Sequence, residues 1–260
     1  MSIIEAIILG ITQGLTEFLP ISSSGHIELV KAILGTEIKD DVTFTVVVHG
    51  GTVLSTIVVF WKDIKKLLGD FFKFKSNEST HYIYKLAVSA IPVAIIGLKF
   101  KDEIEQLFFG NVLLVGFMLI ITGALLTFTY FSREHNKNVS YGRAIIIGLA
   151  QAFALLPGIS RSGSTIATSL LVGVKKEAAT KFSFLMVLAP IIGANLKDVF
   201  SGELSQGGVE PLPLLIGFIA AFVSGLFACK WMIKIVNRGK LIYFAIYCFI
   251  VGTIAIVVTL

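Results

Sequence analysis

The hydrophobic residues of this chain fall into long runs that charged residues interrupt at only a few places. Six runs approach the length of about 20 residues that an α-helix needs to cross a bilayer. They predict transmembrane helices at residues 42–61, 84–100, 112–131, 180–197, 211–235 and 241–260. The pattern therefore indicates an all-α polytopic membrane protein in which residues 1–260 form a single integral membrane domain.

Two further apolar stretches, 3–34 and 144–174, are each broken by a polar segment rich in serine and glycine. The break follows Pro20 in the first stretch and Pro157 in the second. Backbone that is irregular at membrane depth must be buried in protein or line a wet cavity. We therefore expect two re-entrant helix–loop–helix hairpins in addition to the six transmembrane helices.

The two hairpins repeat each other at a shift of 138 residues, with six identities in the sixteen positions from 10 to 25. Chance would give about one. The identical pairs are Gly10 with Gly148, Gln13 with Gln151, Ile21 with Ile159, Ser22 with Ser160, Ser24 with Ser162 and Gly25 with Gly163. Each half of the chain, approximately 1–131 and 140–260, then holds one hairpin and three transmembrane helices. Because three is odd, the halves have opposite orientations, which predicts inverted-topology repeats.

The composition agrees with a membrane protein and excludes several other classes. The chain is 55% hydrophobic and only 15% charged, and its mean hydropathy is +0.86, whereas soluble domains are roughly a quarter charged. A disordered chain and a nucleic-acid-binding domain are excluded on the same grounds, despite a net charge of +5. We therefore expect the membrane, and no nucleic acid, as a partner.

The lysines and arginines are distributed unevenly between the predicted loops. The segments 62–85, 133–143, 175–181 and 230–240 hold sixteen of the 22, and the loops on the opposite side hold five. Basic residues collect in cytoplasmic loops. This distribution predicts that both termini lie outside, that the first hairpin enters from outside and that the second enters from the cytoplasm. The two polar tips are then expected to meet near the middle of the membrane.

The remaining basic residue, Arg161, lies at the tip of the second hairpin. An arginine at the centre of a bilayer costs about 2.5 to 3.5 kcal/mol on insertion scales and therefore needs a compensating role. Its neighbours Ser160, Ser162, Gly163 and Thr165 stand at a predicted helix start. Backbone amides, a helix N-terminus and a guanidinium fork together favour phosphate oxygens. The second tip thus predicts an anion site.

The first tip carries side chains that can transfer protons or attack phosphorus. Ser22, Ser23 and His26 stand at another helix start, and Glu17 precedes them on the first helix. Gln13 lies one helical turn from Glu17 on the same face. The plainer interpretation is that the serines pack or cap the helices and that Arg161 binds backbone carbonyls. For His49, a helix-packing or cavity-lining role is favoured.

At these residues the chain resembles the bacterial undecaprenyl-diphosphate phosphatase family, also called bacitracin-resistance proteins, over essentially its full length. The first shared motif is Gln13-Gly-Leu-Thr-Glu17-Phe-Leu-Pro-Ile-Ser-Ser-Ser-Gly-His26, and the second is Pro157-Gly-Ile-Ser-Arg-Ser-Gly-Ser-Thr165. The chain departs from the commonest pattern in having Gln13 at the first acidic position, which weakens any mechanism that needs two carboxylates there.

The resemblance implies hydrolysis of a polyprenyl diphosphate lipid, undecaprenyl diphosphate, to the monophosphate and inorganic phosphate. It places the enzyme in the bacterial cytoplasmic membrane with its active site facing outside, where it recycles the lipid carrier for peptidoglycan synthesis and confers bacitracin resistance. A homodimer is a further expectation.

On this interpretation four residues are catalytic: Glu17, Ser23, His26 and Arg161. The nucleophile is Ser23, His26 or a water. The groups expected to bind the diphosphate are Ser22, Ser160, Arg161, Ser162, Gly163 and Thr165, with Gln13 and Gln151 in support. A divalent cation, Mg²⁺ or Ca²⁺, is expected at Glu17, and no organic cofactor is expected. The competing hypothesis is a transporter or flippase of a lipid phosphate or small anion, because inverted repeats with broken helices also build transporters.

Overall fold

The computed structural model of the chain describes residues 1–35, 41–100, 103–104, 111–132, 136–200 and 210–260. Within these ranges the main regular elements are twelve α-helices, and the only extended pairing is an isolated bridge between Lys137 and Val174. The helices are α1 (Ile3–Phe18), α2 (Ser23–Leu34), α3 (Asp41–Val59), α4 (Trp61–Phe71), α5 (Glu78–Lys99), α6 (Val112–Tyr130), α7 (Tyr141–Phe153), α8 (Arg161–Leu171), α9 (Lys176–Met186), α10 (Leu188–Phe200), α11 (Pro211–Asn237) and α12 (Ile242–Thr259).

Several of these helices are long and apolar enough to cross a membrane. In the described part of the chain five spans qualify: α5, α6, α11, α12 and the stretch Lys176–Leu196, which is formed by α9 and most of α10. A sixth is obtained if Thr43–Val59 and Trp61–Phe71, which meet at an angle of 78°, are counted as one broken span. The predicted all-helical, multi-pass membrane architecture is thereby confirmed.

Two predicted spans differ in detail from the helices observed. The helix predicted at 42–61 ends at Val59, and the chain then turns into the separate helix α4. The helix predicted at 180–197 is interrupted at Val187, between α9 and α10. Pro190 explains this interruption, because proline has no N–H to donate to the carbonyl of Met186 and its ring clashes with that carbonyl.

Each predicted hairpin is observed as two short helices separated by a break. Helices α1 and α2 flank the first break, and α7 and α8 flank the second. A serine caps the second helix of each pair, since Gly25 N donates to Ser22 Oγ at 3.3 Å and Gly163 N donates to Ser160 Oγ at 3.0 Å. Equivalent serines therefore start the two equivalent helices.

Three of the main helix contacts join the first half of the chain to the second. Helix α1 packs along α11, α7 packs along α5, and α6 packs along α12. A Cβ added to Gly10 would lie 2.5 Å from the carbonyl oxygen of Gly217, and one added to Gly148 would overlap the carbonyl of Ser89. Small residues thus let the helix backbones approach closely, as at other helix contacts in lipid.

The basic segments predicted for the cytoplasmic side come together at one end of the helices. The contacts that join them are the ion pair between Lys181 and Asp63, the bridge between Lys137 and Val174, the 2.9 Å hydrogen bond between His81 Nδ1 and Tyr141 OH, and the approach of Lys176 to Gly239. This end of the bundle therefore collects segments that are far apart in the sequence.

Candidate active site

The tips of the two hairpins touch each other through a pair of equivalent contacts. A Cβ added to Gly25 would lie 3.2 Å from Cα of Gly158, and one added to Gly163 would lie 3.2 Å from Cβ of Pro20. The shift of 138 residues relates Gly25 to Gly163 and Pro20 to Gly158. Ser162 Oγ also donates to the carbonyl of Leu19 at 3.0 Å. The expected meeting of the tips is therefore present in the structure.

Side chains of the long helices satisfy the backbone at the two breaks. Thr122 Oγ1 on α6 donates to the carbonyl of Gly158 at 3.4 Å and accepts a hydrogen bond from Ser160 N at 3.1 Å. On α12, Cys248 Sγ donates to the carbonyl of Pro20 at 3.7 Å. The carbonyls of Pro20 and Gly158, at equivalent positions, thus find partners inside the protein, which irregular backbone in a membrane requires.

Glu17 lies where the two tips meet and joins them electrostatically. Arg161 Nη2 donates to Glu17 Oε1 at 2.5 Å, and Gln13 Nε2 donates to Glu17 Oε2 at 3.0 Å. The Glu17 side chain is 8% exposed and that of Arg161 is 26% exposed. Arg161, the arginine predicted to need a compensating role in the membrane, therefore pairs with a carboxylate of the other hairpin.

The hydroxyl of Ser23 lies beside this carboxylate. Its Oγ donates to Glu17 Oε2 at 2.7 Å, which is the contact expected between a hydroxyl nucleophile and its base. Ser23 is the first residue of α2 and Arg161 is the first residue of α8. The same shift of 138 residues relates these two positions. Equivalent helix starts therefore present a hydroxyl on one side of Glu17 and a guanidinium on the other.

His49 also reaches Glu17. Its Nε2 lies 3.9 Å from Glu17 Oε2, and its Nδ1 donates to the carbonyl of Thr45 at 2.8 Å. The site thus includes a histidine for which the sequence favoured helix packing or cavity lining. A sequence signal was present, because His49, Thr52 and Thr56 are spaced to form one polar face of α3 within an apolar run.

His26, in contrast, is turned towards α12. Its Nδ1 donates to the carbonyl of Ser22 at 2.8 Å, so in the neutral ring Nε2 accepts from Tyr247 OH, also at 2.8 Å. The two rings are stacked with centroids 5.6 Å apart. Both nitrogens of His26 are therefore engaged in holding the start of α2 against α12.

The predicted phosphate-binding residues fall into two groups. Ser162 and Thr165 line a cavity with Glu17 and Arg161. Ser22, Ser160 and Gly163 form the helix caps described above, so the amides of Ser160 and Gly163 already donate within the protein. The amides of Arg161 and Ser162, at the first positions of α8, have no intrahelical acceptor.

The two predicted supporting glutamines are both buried but differ in their bonding. Gln13 donates to Glu17, whereas both polar atoms of the Gln151 side chain lack a hydrogen-bond partner within the described residues. The position equivalent to Glu17 in the second hairpin is Leu155. Gln151 therefore has no carboxylate to bind, and the two halves of the site are chemically unlike.

The cavity beside Glu17 and Arg161 is small and mixed in character. Its volume is about 20 Å³, and its wall includes Thr52, Ser183 and Phe184 from α3 and α9. A space of this size holds about one water molecule. A diphosphate therefore does not fit this cavity as it stands.

Few side chains that could bind the metal expected at Glu17 lie nearby in the described part of the chain. Among the described residues no three His, Cys, Asp or Glu side chains form a group that could hold a metal ion. Mg²⁺, however, binds through one or two carboxylates together with substrate phosphate oxygens and water. A single carboxylate such as Glu17 is compatible with this mode of binding.

The chain is similar to known proteins over nearly its whole length. Residues 6–254 match the family described as bacitracin resistance protein BacA. A protein of Bacteroides fragilis named undecaprenyl-diphosphatase is 53% identical over 259 residues, which cover 98% of this chain and 97% of the relative. A protein of the same name from Parabacteroides distasonis is 53% identical over all of this chain and 99% of its own. One from Methanobrevibacter smithii is 38% identical over 98% of this chain and 96% of its own.

Proposed function

Because the chain belongs to the bacitracin resistance protein BacA family, we propose that it hydrolyses undecaprenyl diphosphate to undecaprenyl phosphate and inorganic phosphate. One observation carries the proposal. A single buried carboxylate, Glu17, accepts a hydrogen bond from the Ser23 hydroxyl at 2.7 Å and one from the Arg161 guanidinium at 2.5 Å. A base, a nucleophile and a phosphate-binding cation thus converge at one point.

The Glu17–Arg161 pair represents the resting state of this site. Diphosphate oxygens are the other ligand that a guanidinium fork binds well. An entering diphosphate takes over Arg161, helped by the amides of Arg161 and Ser162, which have no acceptor within α8, and by the hydroxyls that line the cavity. Glu17 loses its counter-charge in the same step and becomes a stronger base for Ser23.

The first chemical step transfers the terminal phosphoryl group to Ser23. Ser23 Oγ attacks the terminal phosphorus, and its proton moves to Glu17. The bond between that phosphorus and the bridging oxygen breaks, and undecaprenyl phosphate leaves with the proton that Glu17 received. Arg161 stabilises the charge that develops on the phosphoryl oxygens, which is the main task in this class of reaction.

The second step removes the phosphoryl group with water. Glu17 takes a proton from the attacking water, the new oxygen–phosphorus bond forms, and the bond to Ser23 Oγ breaks as Glu17 returns the proton to the serine. The products are inorganic phosphate and the free enzyme. His49, 3.9 Å from Glu17, is positioned to influence both proton transfers. A divalent cation held by Glu17 and the substrate would neutralise diphosphate charge.

The proposal extends to the placement of the protein in the membrane. The two hairpins are proposed to be re-entrant segments of inverted-topology repeats in the bacterial cytoplasmic membrane, with the site open to the outer face. In support, equivalent residues form equivalent contacts between the tips, and four basic segments gather at one end of the bundle. The enzyme would thereby recycle the carrier lipid for peptidoglycan synthesis and contribute to bacitracin resistance.

The test is phosphate release from undecaprenyl diphosphate by the purified protein, with Arg161→Lys as the diagnostic variant. Lysine keeps the charge but loses the fork. The rate should fall by about 10²- to 10³-fold, the loss typical of removing one charge-stabilising donor. Arg143→Lys is the matched control, because Arg143 donates to the carbonyls of Val172 and Asn138, away from Glu17, and should stay near the wild-type rate.

Thermal unfolding of each variant in detergent would show that the variants are folded. A folded Arg161→Lys protein with the wild-type rate would contradict the phosphate-binding role of Arg161. No phosphate release by the wild-type protein would contradict the enzymatic function and favour the transporter hypothesis.

A further inference from the structure

A large groove lies on the opposite side of the first hairpin from the Glu17 cavity. Its volume is about 690 Å³, within the range of about 300–1,000 Å³ typical of ligand sites. Its walls come from the end of α1, the break after it, the last part of α11 and the start of α12. Leu15, Thr16 and Leu19 face this groove, whereas Glu17 faces the cavity. The groove and the candidate active site thus share a hairpin but not a surface.

The lining of the groove changes in character along its length. One part is aromatic and aliphatic, and includes Trp231, Phe244 and Tyr247. The other part is formed where α11 ends and α12 begins, and carries Lys234, Arg238 and Lys240. Aromatic rings beside a cluster of cations are typical of protein at the boundary between lipid tails and head groups.

The three cations of the groove have no acidic partner in the described residues. No carboxylate lines the groove, and none of the ion pairs of the described chain involves Lys234, Arg238 or Lys240. Among the residues that the structure describes, three neighbouring positive charges at one end of an apolar groove therefore have no counter-charge. The complementary ligand has an anionic head and an apolar tail.

We propose that this groove binds an anionic phospholipid, with its phosphate on Lys234, Arg238 and Lys240 and an acyl chain along the aromatic wall. The groove is open to surrounding lipid, since Trp231 is 53% and Tyr243 63% exposed. The cations belong to the basic end of the bundle, which is the side expected to face the anionic inner leaflet. A phospholipid of that leaflet is therefore the ligand that meets the groove at high concentration.

The bound lipid has a route to the first hairpin. Tyr247 lines the groove and donates a hydrogen bond to His26, which in turn holds the carbonyl of Ser22 at the start of α2. An acyl chain against Tyr247 and Leu19 packs behind the segment that carries Ser23. Lipid binding is therefore expected to stabilise the hairpin as well as to occupy the groove.

The test is native mass spectrometry of the full-length protein with equimolar phosphatidylglycerol and phosphatidylcholine. The wild-type protein should retain phosphatidylglycerol preferentially. The triple variant Lys234→Gln, Arg238→Gln, Lys240→Gln should lose at least tenfold of that retention, because each basic residue near an anionic head group contributes about fivefold. The matched control is Lys62→Gln, Lys65→Gln, Lys66→Gln, which removes the same charge from exposed positions of α4. It leaves the groove and its aromatic wall intact, so it should lose less retention than the groove variant.

Two further measurements keep the test decisive. The single variant Arg238→Gln should lose about fivefold if the triple variant does not fold. Phosphatidylglycerol should raise the melting temperature of the wild type and of the α4 control but not of the groove variant. Equal loss in the control, or unchanged retention in the groove variant, would overturn the proposal. Displacement of phosphatidylglycerol by equimolar undecaprenyl phosphate would also overturn it, because the groove would then be a site for the isoprenoid product.

Discussion

Ser23 and Arg161 occupy the same position in two equivalent helices, yet one supplies a hydroxyl and the other a guanidinium to the same carboxylate. Repeat symmetry accounts for the shared geometry: a serine cap, a helix start and contact with the other tip. The chemistry arises from the positions where the halves differ. Leu155 stands where the second half would need an acid equivalent to Glu17, so the pair of hairpins forms one site rather than two.

Residues of the site that lie within one motif could be predicted from the sequence. Glu17, Ser23 and Arg161 flank the two polar breaks. Lipid cannot compensate a charged side chain there, so the sequence favoured a functional role for them. The sequence could not show that His26 is held by Tyr247, because that contact joins residues 221 positions apart. The spacing of His49, Thr52 and Thr56 indicated a polar face of α3, but the sequence could not show that this face meets Glu17, because that contact joins two separate helices.

At the scale of helices, hydropathy predicted where segments lie better than where they bend. Six spans were expected, and the described helices provide five, or six if the bent pair is one span. The interruption at Val187 could be predicted from the sequence, because Pro190 follows three residues later. The 78° bend after Val59 could not be predicted from the sequence. The apolar run continues to Trp61, and the turn contains no proline or glycine.

Close helix packing predicts that the two halves respond alike to added volume. Valine at Gly10 or at Gly148 should destabilise the protein by about 1–3 kcal/mol, because its side chain would overlap the backbone of α11 or α5. Gly142→Val is the control, since Gly142 lies in helix α7 with no atom within 4 Å of an added Cβ. Thermal unfolding in detergent measures the effect. A melting temperature of Gly10→Val or Gly148→Val equal to that of Gly142→Val would show that these crossings are not close in the folded protein.

At the scale of the whole molecule, the predicted orientation of the protein in the membrane can be tested. It places the basic end of the bundle in the cytoplasm and the entry of the first hairpin outside. Lys66 on α4 belongs to the basic end, whereas Glu210 precedes α11 on the opposite side of the predicted topology. The native cysteines, Cys229 and Cys248, are buried and give little background. Single substitutions to cysteine can therefore report the side of the membrane on which each position lies.

Glu210→Cys should react with a membrane-impermeant maleimide in intact cells, and Lys66→Cys should react only after the membrane is permeabilised. Basic loops are retained in the cytoplasm, which is the physical reason for this expectation. Mass shift on a denaturing gel gives the readout. Reaction of Lys66→Cys in intact cells, with Glu210→Cys protected, would reverse the orientation and place the first hairpin on the cytoplasmic side.

The central claim is that Ser23, activated by Glu17, carries the phosphoryl group between the two steps. Rapid acid quenching of the enzyme with undecaprenyl diphosphate labelled in its terminal phosphate should trap an acid-stable phosphoserine at Ser23, identified by peptide mass spectrometry. Ser23→Ala should lose both the label and hydrolysis, by at least 10³-fold. Ser24→Ala should keep both, because the hydrogen bond given for the Ser24 hydroxyl among the described residues is to Ser22 Oγ and not to Glu17. Acid-labile label on His26, or hydrolysis at the wild-type rate by Ser23→Ala, would contradict the claim.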